Sequence, residues 1–128
     1  MSTAPNITAV IARVVVDDLE QAIPLYQALA GGAQVQRFGF GEVRLASVGP
    51  FLLLSGNTAP YSNRVATLLV RDLAPVVAEI RRAGGELLDG PAPGPNGDRL
   101  IARNPDGAVF EYIQNRPPSP PPAIPQGR

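Results

Sequence analysis

The feature that most constrains this chain is that it is written twice. Asp18-Leu19 recurs as Asp72-Leu73 at a spacing of 54 residues, and Gly31-Gly32 recurs as Gly84-Gly85 at a spacing of 53. An apolar, β-branched run precedes each Asp-Leu pair, Ile7 to Val16 and Val65 to Val70, and reads as a buried strand. An apolar stripe at helical spacing follows each pair: Leu19, Ala22, Ile23, Tyr26 and Leu29, then Leu73, Val76, Val77, Ile80 and Ala83. Asp18 is placed to cap the first helix, and each Gly pair to stop its helix. Three strand candidates then follow in each half, at 33–40, 42–48 and 50–55, and again at 86–90, 98–103 and 108–114. The chain is therefore an α+β protein of two tandem βαβββ modules, which bury as a pair the apolar faces that one could not bury alone.

Module boundaries fall at 7–56 and 64–115, joined by a polar connector at 57–63. Residues 1–6 read as a frayed start. Pro24 lies inside the first helical stripe and predicts an irregular first turn rather than a broken helix. The segment from Gly90 to Gly97 is too rich in Pro and Gly for regular structure. The tail from Arg116 to Arg128 holds six prolines in thirteen residues and reads as extended and polyproline-like. A third match sets Gly49 to Leu54 against Gly107 to Tyr112, which puts Leu53 where the second copy has Glu111.

Composition removes whole classes of chemistry. The chain has neither Cys nor His, so disulfides, thiolates, imidazole metal sites and histidine bases are excluded. Eleven basic and eleven acidic residues balance, without a basic stripe, and disfavour nucleic acid as a partner. No apolar run approaches the ~20 residues of a membrane span, and the N-terminus lacks the pattern of a signal peptide. A soluble, cytoplasmic protein is expected.

The stretch from Asn104 to Ile113 carries the chemistry. Asn104-Pro105-Asp106-Gly107 is turn chemistry, and a β-prone run follows it. Alternation places Val109, Glu111 and Ile113 on one strand face and Phe110 and Tyr112 on the other. Glu111 thus sits between two aliphatics, where a carboxylate requires a partner, a proton, a metal or water.

Val14 to Tyr26, with Asp18-Leu19, Ala22 and Tyr26, resembles the strand-to-helix signature of the vicinal oxygen chelate superfamily, the glyoxalase, bleomycin-resistance and extradiol-dioxygenase group. Ile80 to Gly85 and Asn104 to Tyr112 resemble two further signatures of that superfamily, in the right order. The resemblance covers about residues 7–114. It implies two half-barrel sheets around a central cleft, with the helices outside. Catalytic members hold a divalent metal there, through one side chain near the start of the first strand and one on the last strand of each module. In this chain those positions fall at Ile11, Leu53, Val65 and Glu111. Three of the four have no lone pair to offer, so no metal and no cofactor is expected.

On that fold the cleft would be faced by Ile11, Arg13 and Val15, by Phe51, Leu53 and Ser55, by Val65, Thr67 and Leu69, and by Val109, Glu111 and Ile113. Phe38, Phe40 and Tyr61 would stand at its rim, and the loop from Gly90 to Gly97 would lie over its opening. Arg13 and Glu111 would meet, as a satisfied ion pair, as a ligand-orienting pair, or with Glu111 as a general base. Arg44, Arg99 and Arg103 are further cations on strands within reach of an anionic group. The reading that follows is a metal-independent binding protein that sequesters or carries a small planar or amphipathic molecule, with Arg13, Ser55, Thr67, the aromatics and the aliphatic walls as binding residues. Its alternatives are an isomerase, cyclase or lyase using Glu111, and a non-catalytic interaction module. The resemblance also implies a homodimer.

Overall fold

The computed structural model describes residues 5–94 and 97–114. Residues 1–4, within the expected frayed start, the expected proline-rich tail at 116–128 and Pro95-Asn96 of the Pro/Gly loop lie outside the described residues. The first module runs β1 (Ile7–Val15), α1 (Leu19–Leu29), β2 (Val35–Phe40), β3 (Val43–Val48) and β4 (Phe51–Gly56). A single 3-10 turn, Ala59–Tyr61, occupies the connector. The second module runs β5 (Thr67–Val70), α2 (Leu73–Ala83), β6 (Glu86–Ala92), β7 (Asp98–Arg103) and β8 (Val109–Gln114).

Both helices start where the sequence caps them. The Asp18 carboxylate accepts from the Gln21 N–H at 3.1 Å, and that of Asp72 from the Ala74 N–H at 3.0 Å. Each satisfies one of the amide donors that a helix start leaves without an intrahelical partner. Pro24 does not disturb the first turn: α1 is helical from Leu19, and the ring stands on its exposed side. The apolar face of α1 differs from expectation at its end. Leu29 is 65% exposed, and Ala30, one i+4 step beyond Tyr26, packs inward instead. Asn6 is not frayed. Its side chain donates to the Asp72 carbonyl and accepts from the Asp72 N–H, which ties the chain's start to the β5–α2 corner.

The eight strands form one sheet in the order β2-β3-β4-β1-β5-β8-β7-β6. Within each module the first strand pairs in parallel with the last, β1 with β4 and β5 with β8. The modules join through β1 and β5, antiparallel, with Val10 opposite Leu68 and Ile11 opposite Thr67. The two halves therefore meet within one chain. Each helix packs on the outer face of its own module. Under α1 lie Ala46, Val48 and Leu53, and under α2 lie Leu68, Val70, Leu100, Ala102 and Tyr112. The opposite face carries a third cluster, Val43, Leu45 and Leu54, with Phe38, Leu52 and Tyr61 against it.

The strand β6 runs on through Gly90 and Pro91 to Ala92, beyond the expected 86–90, with two shifts of register. Gly90 has a positive φ of 85° and lies so close to β7 that a Cβ would run into the Arg99 carbonyl. Glycine is what keeps this strand paired past its irregularity.

The hairpins before β4 and β8 differ in a way that resets one expectation. Cross-strand partners point to the same face. Val48 opposes Phe51 across the two-residue turn Gly49-Pro50, whereas Arg103 opposes Val109 across the longer loop 104–108. Val48 faces α1, so Phe51, Leu53 and Ser55 share the helix face, and Leu52 and Leu54 face inward. The true counterpart of Glu111 is Leu52, since Arg13 stands opposite Leu52 as Thr67 stands opposite Glu111. The match that set Leu53 against Glu111 is one residue out of register.

Leu53 is fully buried beneath α1, and truncating it opens a cavity. Leu53→Ala is expected to cost about 2–5 kcal/mol in urea unfolding. Leu52→Ala, on the open inner face, is expected to cost less than about 2 kcal/mol. Equal losses would contradict the assignment of faces.

Candidate functional site

The inner face centres on three polar side chains from three adjacent strands. Arg13 on β1 donates through one guanidinium nitrogen, Nη1, to Thr67 Oγ1 at 2.8 Å and to Glu111 Oε1 at 3.0 Å. Thr67 on β5 donates its hydroxyl to the same Glu111 oxygen at 2.8 Å. The second nitrogen of Arg13 donates to the Tyr61 carbonyl at 3.2 Å. The strand pairing makes this geometry: Thr67 and Glu111 are direct partners in the β5–β8 ladder, and Arg13 reaches them across the β1–β5 seam.

The pair is nearly enclosed, with 8% of the Arg13 side chain and 17% of the Glu111 side chain exposed. Burial pulls the Arg13 guanidinium below its ordinary value, the Glu111 charge opposes that, and the nearby Arg64 adds to it. A guanidinium stays protonated through such shifts. The centre is thus a closed ion pair braced by a hydroxyl, in which each charge is compensated inside the protein.

Around it lie two hollows. One, of ≈ 90 Å³, is bounded by Arg13, Glu111, Tyr61, Arg64 and Arg99 on its polar side. Phe38, Phe40, Val43, Leu45, Leu52, Leu54 and Ile113 make its apolar walls, and Gly94 and Gly97 also line it. The other, of ≈ 270 Å³, is lined by Ile11, Gln36, Ser47, Thr67 and Leu69 and shares Phe38, Leu52 and Ile113 with the first. Phe40 packs edge-to-face on Tyr61 in the wall of the first hollow, with ring centres 5.8 Å apart.

Of the residues singled out from sequence, the structure brings Arg13, Thr67, Glu111, Phe38, Phe40 and Tyr61 together on this face. It does not bring Phe51, Leu53 or Ser55 there. Phe51 stacks edge-to-face on Tyr26 at 4.9 Å and Leu53 packs under α1; Ser55 is buried with them on the helix side of β4. Val109 has the inner-face parity of Glu111 but is buried and lines neither hollow. Val65, one of the four chelate positions, is 61% exposed. Of the further cations, Arg99 reaches the cleft, whereas Arg44 and Arg103 are drawn to Glu20 and Glu86.

Sequence reasoning missed Leu52 and Leu54, because hairpin parity is invisible without pairing. It also missed Arg64. The available signal was its place between the connector and β5, an arginine directly before an apolar strand.

Two βαβββ modules joined edge to edge around a shared cleft are the fold that the resemblance to the vicinal oxygen chelate superfamily implies, and this chain has that fold. It is similar to an uncharacterized protein from Methanosarcina mazei, with 31% identity, 85% of this chain and 93% of that chain covered, and a TM-score of 0.78. It shares a family with that protein. In fold it is similar to methylmalonyl-CoA epimerase from Mycobacterium tuberculosis, with 18% identity, 91% and 93% of the two chains covered and a TM-score of 0.62. It is likewise similar to Streptomyces coelicolor methylmalonyl-CoA epimerase in complex with 2-nitronate-propionyl-CoA, with 21% identity, 86% and 96% coverage and a TM-score of 0.59. No family model and no curated protein matches the chain.

The residues at the chelate positions do not fit a divalent ion. Ile11, Leu52 and Val65 offer no donor atom, and Oε1 of Glu111 is already held by Arg13 and Thr67. Among the described residues no three His, Cys, Asp or Glu side chains gather where an ion could be held.

Removing one charge of the central pair strands the other. Glu111→Gln is expected to lower the stability to urea by about 3 kcal/mol. The double variant Arg13→Met, Glu111→Leu is expected to recover much of that loss, and additive losses would show that the pair is not coupled.

Proposed function

We propose that this protein binds a small amphipathic molecule in the cleft and holds it without metal-assisted chemistry. The observation that carries the reading is the pairing of an apolar cleft with a carboxylate whose charge the protein has already answered. Such a surface, mostly hydrophobic with a few fixed polar groups, is suited to holding a ligand and orienting it. Phe38, Phe40 and Tyr61 supply aromatic faces for a planar body. Sequestration or carriage is the role that follows.

Its fold is shared with epimerases, but the cleft argues against that chemistry here. Inverting a carbon centre removes a proton from one face and returns one to the other, which calls for acid–base groups on both sides. Among the described residues that line the two hollows, Glu111 is the one carboxylate. Proton transfer by Glu111 alone, as in an isomerase or lyase, is the second reading, favoured by its place on the wall of the smaller hollow.

A screen of planar amphipathic compounds by thermal shift, with product analysis on the same samples, separates the two. A binder is expected to gain about 2.7 kcal/mol of stability at a ligand concentration one hundred times Kd and to return the compound unchanged. Stability and binding are expected to be indifferent to a chelator. Conversion of a compound, lost in Glu111→Gln, would replace the binding reading with the enzymatic one.

Homodimerisation belongs to the same proposal. No helix among the described residues is long and apolar enough to cross a membrane. Val10, Leu25 and Leu29 nonetheless leave more than half of their apolar surface exposed, as a contact between copies would require. Sedimentation at micromolar concentration is expected to show a dimer, and a monomer would refute it.

A further inference from the structure

Arg64 is the cation in this cleft that the protein leaves unanswered. Arg13 is paired with Glu111, and Arg99 with Asp89 at 2.8 Å. Among the described residues Arg64 takes part in no salt bridge. Its one hydrogen bond is from Nη1 to the Pro60 carbonyl, a neutral acceptor, at 3.2 Å. Its Nε is buried without any acceptor. The guanidinium lies 5.2 Å from the centre of the Tyr61 ring and borders the smaller hollow. It is also close enough to Arg13 for the two positive charges to oppose each other.

A half-buried guanidinium with five donors and a single neutral acceptor is costly to hold, and an anion is what relieves it. Glu111 answers Arg13 within the lining and Asp89, outside it, answers Arg99, so among these groups one positive charge is left over, carried by Arg64. An aromatic wall stands beside that charge, in Tyr61 with Phe40 packed against it. A long apolar floor leads away from it, through Phe38, Leu52 and Ile113 into the second hollow.

We infer that the cleft selects a ligand carrying one anionic group on a planar apolar body, with the anion, a carboxylate or phosphate, set on Arg64. The inference rests on the binding reading and gives it a ligand class. Carboxylate and phosphate share the recognising chemistry, since either accepts from the guanidinium fork. An uncharged ligand of the same shape would fill the apolar floor and leave Arg64 as it stands.

The test uses naphthoate, its uncharged amide and naphthyl phosphate as probes, titrated into the full chain by calorimetry. Naphthoate or naphthyl phosphate is expected to bind at least tenfold more tightly than the amide, and the tighter of the two names the anion. Arg64→Met is expected to remove that preference by weakening naphthoate and naphthyl phosphate far more than the amide, and Arg64→Lys to restore part of it. The comparison of probes on the wild-type chain holds even where a variant folds poorly. Equal affinity for all three probes would overturn the inference and leave the binding reading standing. Failure of every probe to bind would overturn the inference and count against the binding reading together.

Discussion

Everything in this molecule that bears on function depends on the antiparallel seam between β1 and β5. It joins two half-sheets that are each built from one copy of the repeat, and it does so within a single chain. The seam sets Thr67 beside Ile11 and brings Arg13 within reach of Glu111, which is 98 residues away in sequence. A slip of one residue in this pairing would turn Arg13 or Thr67 toward the outer face, because side chains alternate along a strand. The ion pair that crosses the seam works in the opposite direction as well. A buried guanidinium and carboxylate tolerate the cleft only when they are together, which makes an out-of-register seam costly.

The cleft has the form that the sequence resemblance implies, without donor side chains at three of its four chelate positions. Where a chelate site would present donors, this chain presents Ile11, Leu52 and Val65, and its remaining carboxylate is tied to an arginine and a threonine. Ile11 and Leu52 line the apolar hollows, and Val65 stands exposed. What the fold contributes is the concave surface between two half-sheets; what the side chains contribute is a surface with little to react and much to hold. The rings of Phe38, Phe40 and Tyr61 and the charge of Arg64, which no carboxylate among the described residues answers, give that surface direction.

Much of the architecture was legible without coordinates. The repeated Asp-Leu and Gly-Gly pairs placed both helices, and α1 and α2 begin at the leucine that follows each capping aspartate. The alternation around Glu111 placed Phe110 and Tyr112 under α2 and Glu111 inward. The first module was harder. Gly49 to Leu54 looks like Gly107 to Tyr112, but the turns that lead into the two strands differ in length, and a difference of one in strand parity exchanges core for cleft. Leu53 and Phe51 are therefore core residues. Arg64 had no motif to mark it, since its significance is that, among the described residues, no carboxylate pairs with it.

By itself, the sequence determined the class of fold, the two-module plan, the helix limits and the poverty of metal donors, because these follow from local propensity, periodicity and residue chemistry. Only the tertiary structure decided which residues of β4 face inward, that the half-sheets pair within one chain, that Thr67 braces the Arg13–Glu111 pair, and that Arg64 borders the cleft with no salt bridge among the described residues. The physical reason is that facing and charge balance are properties of pairing between distant strands. A strand's own residues fix its two faces, but its neighbours fix which of them is buried under a helix.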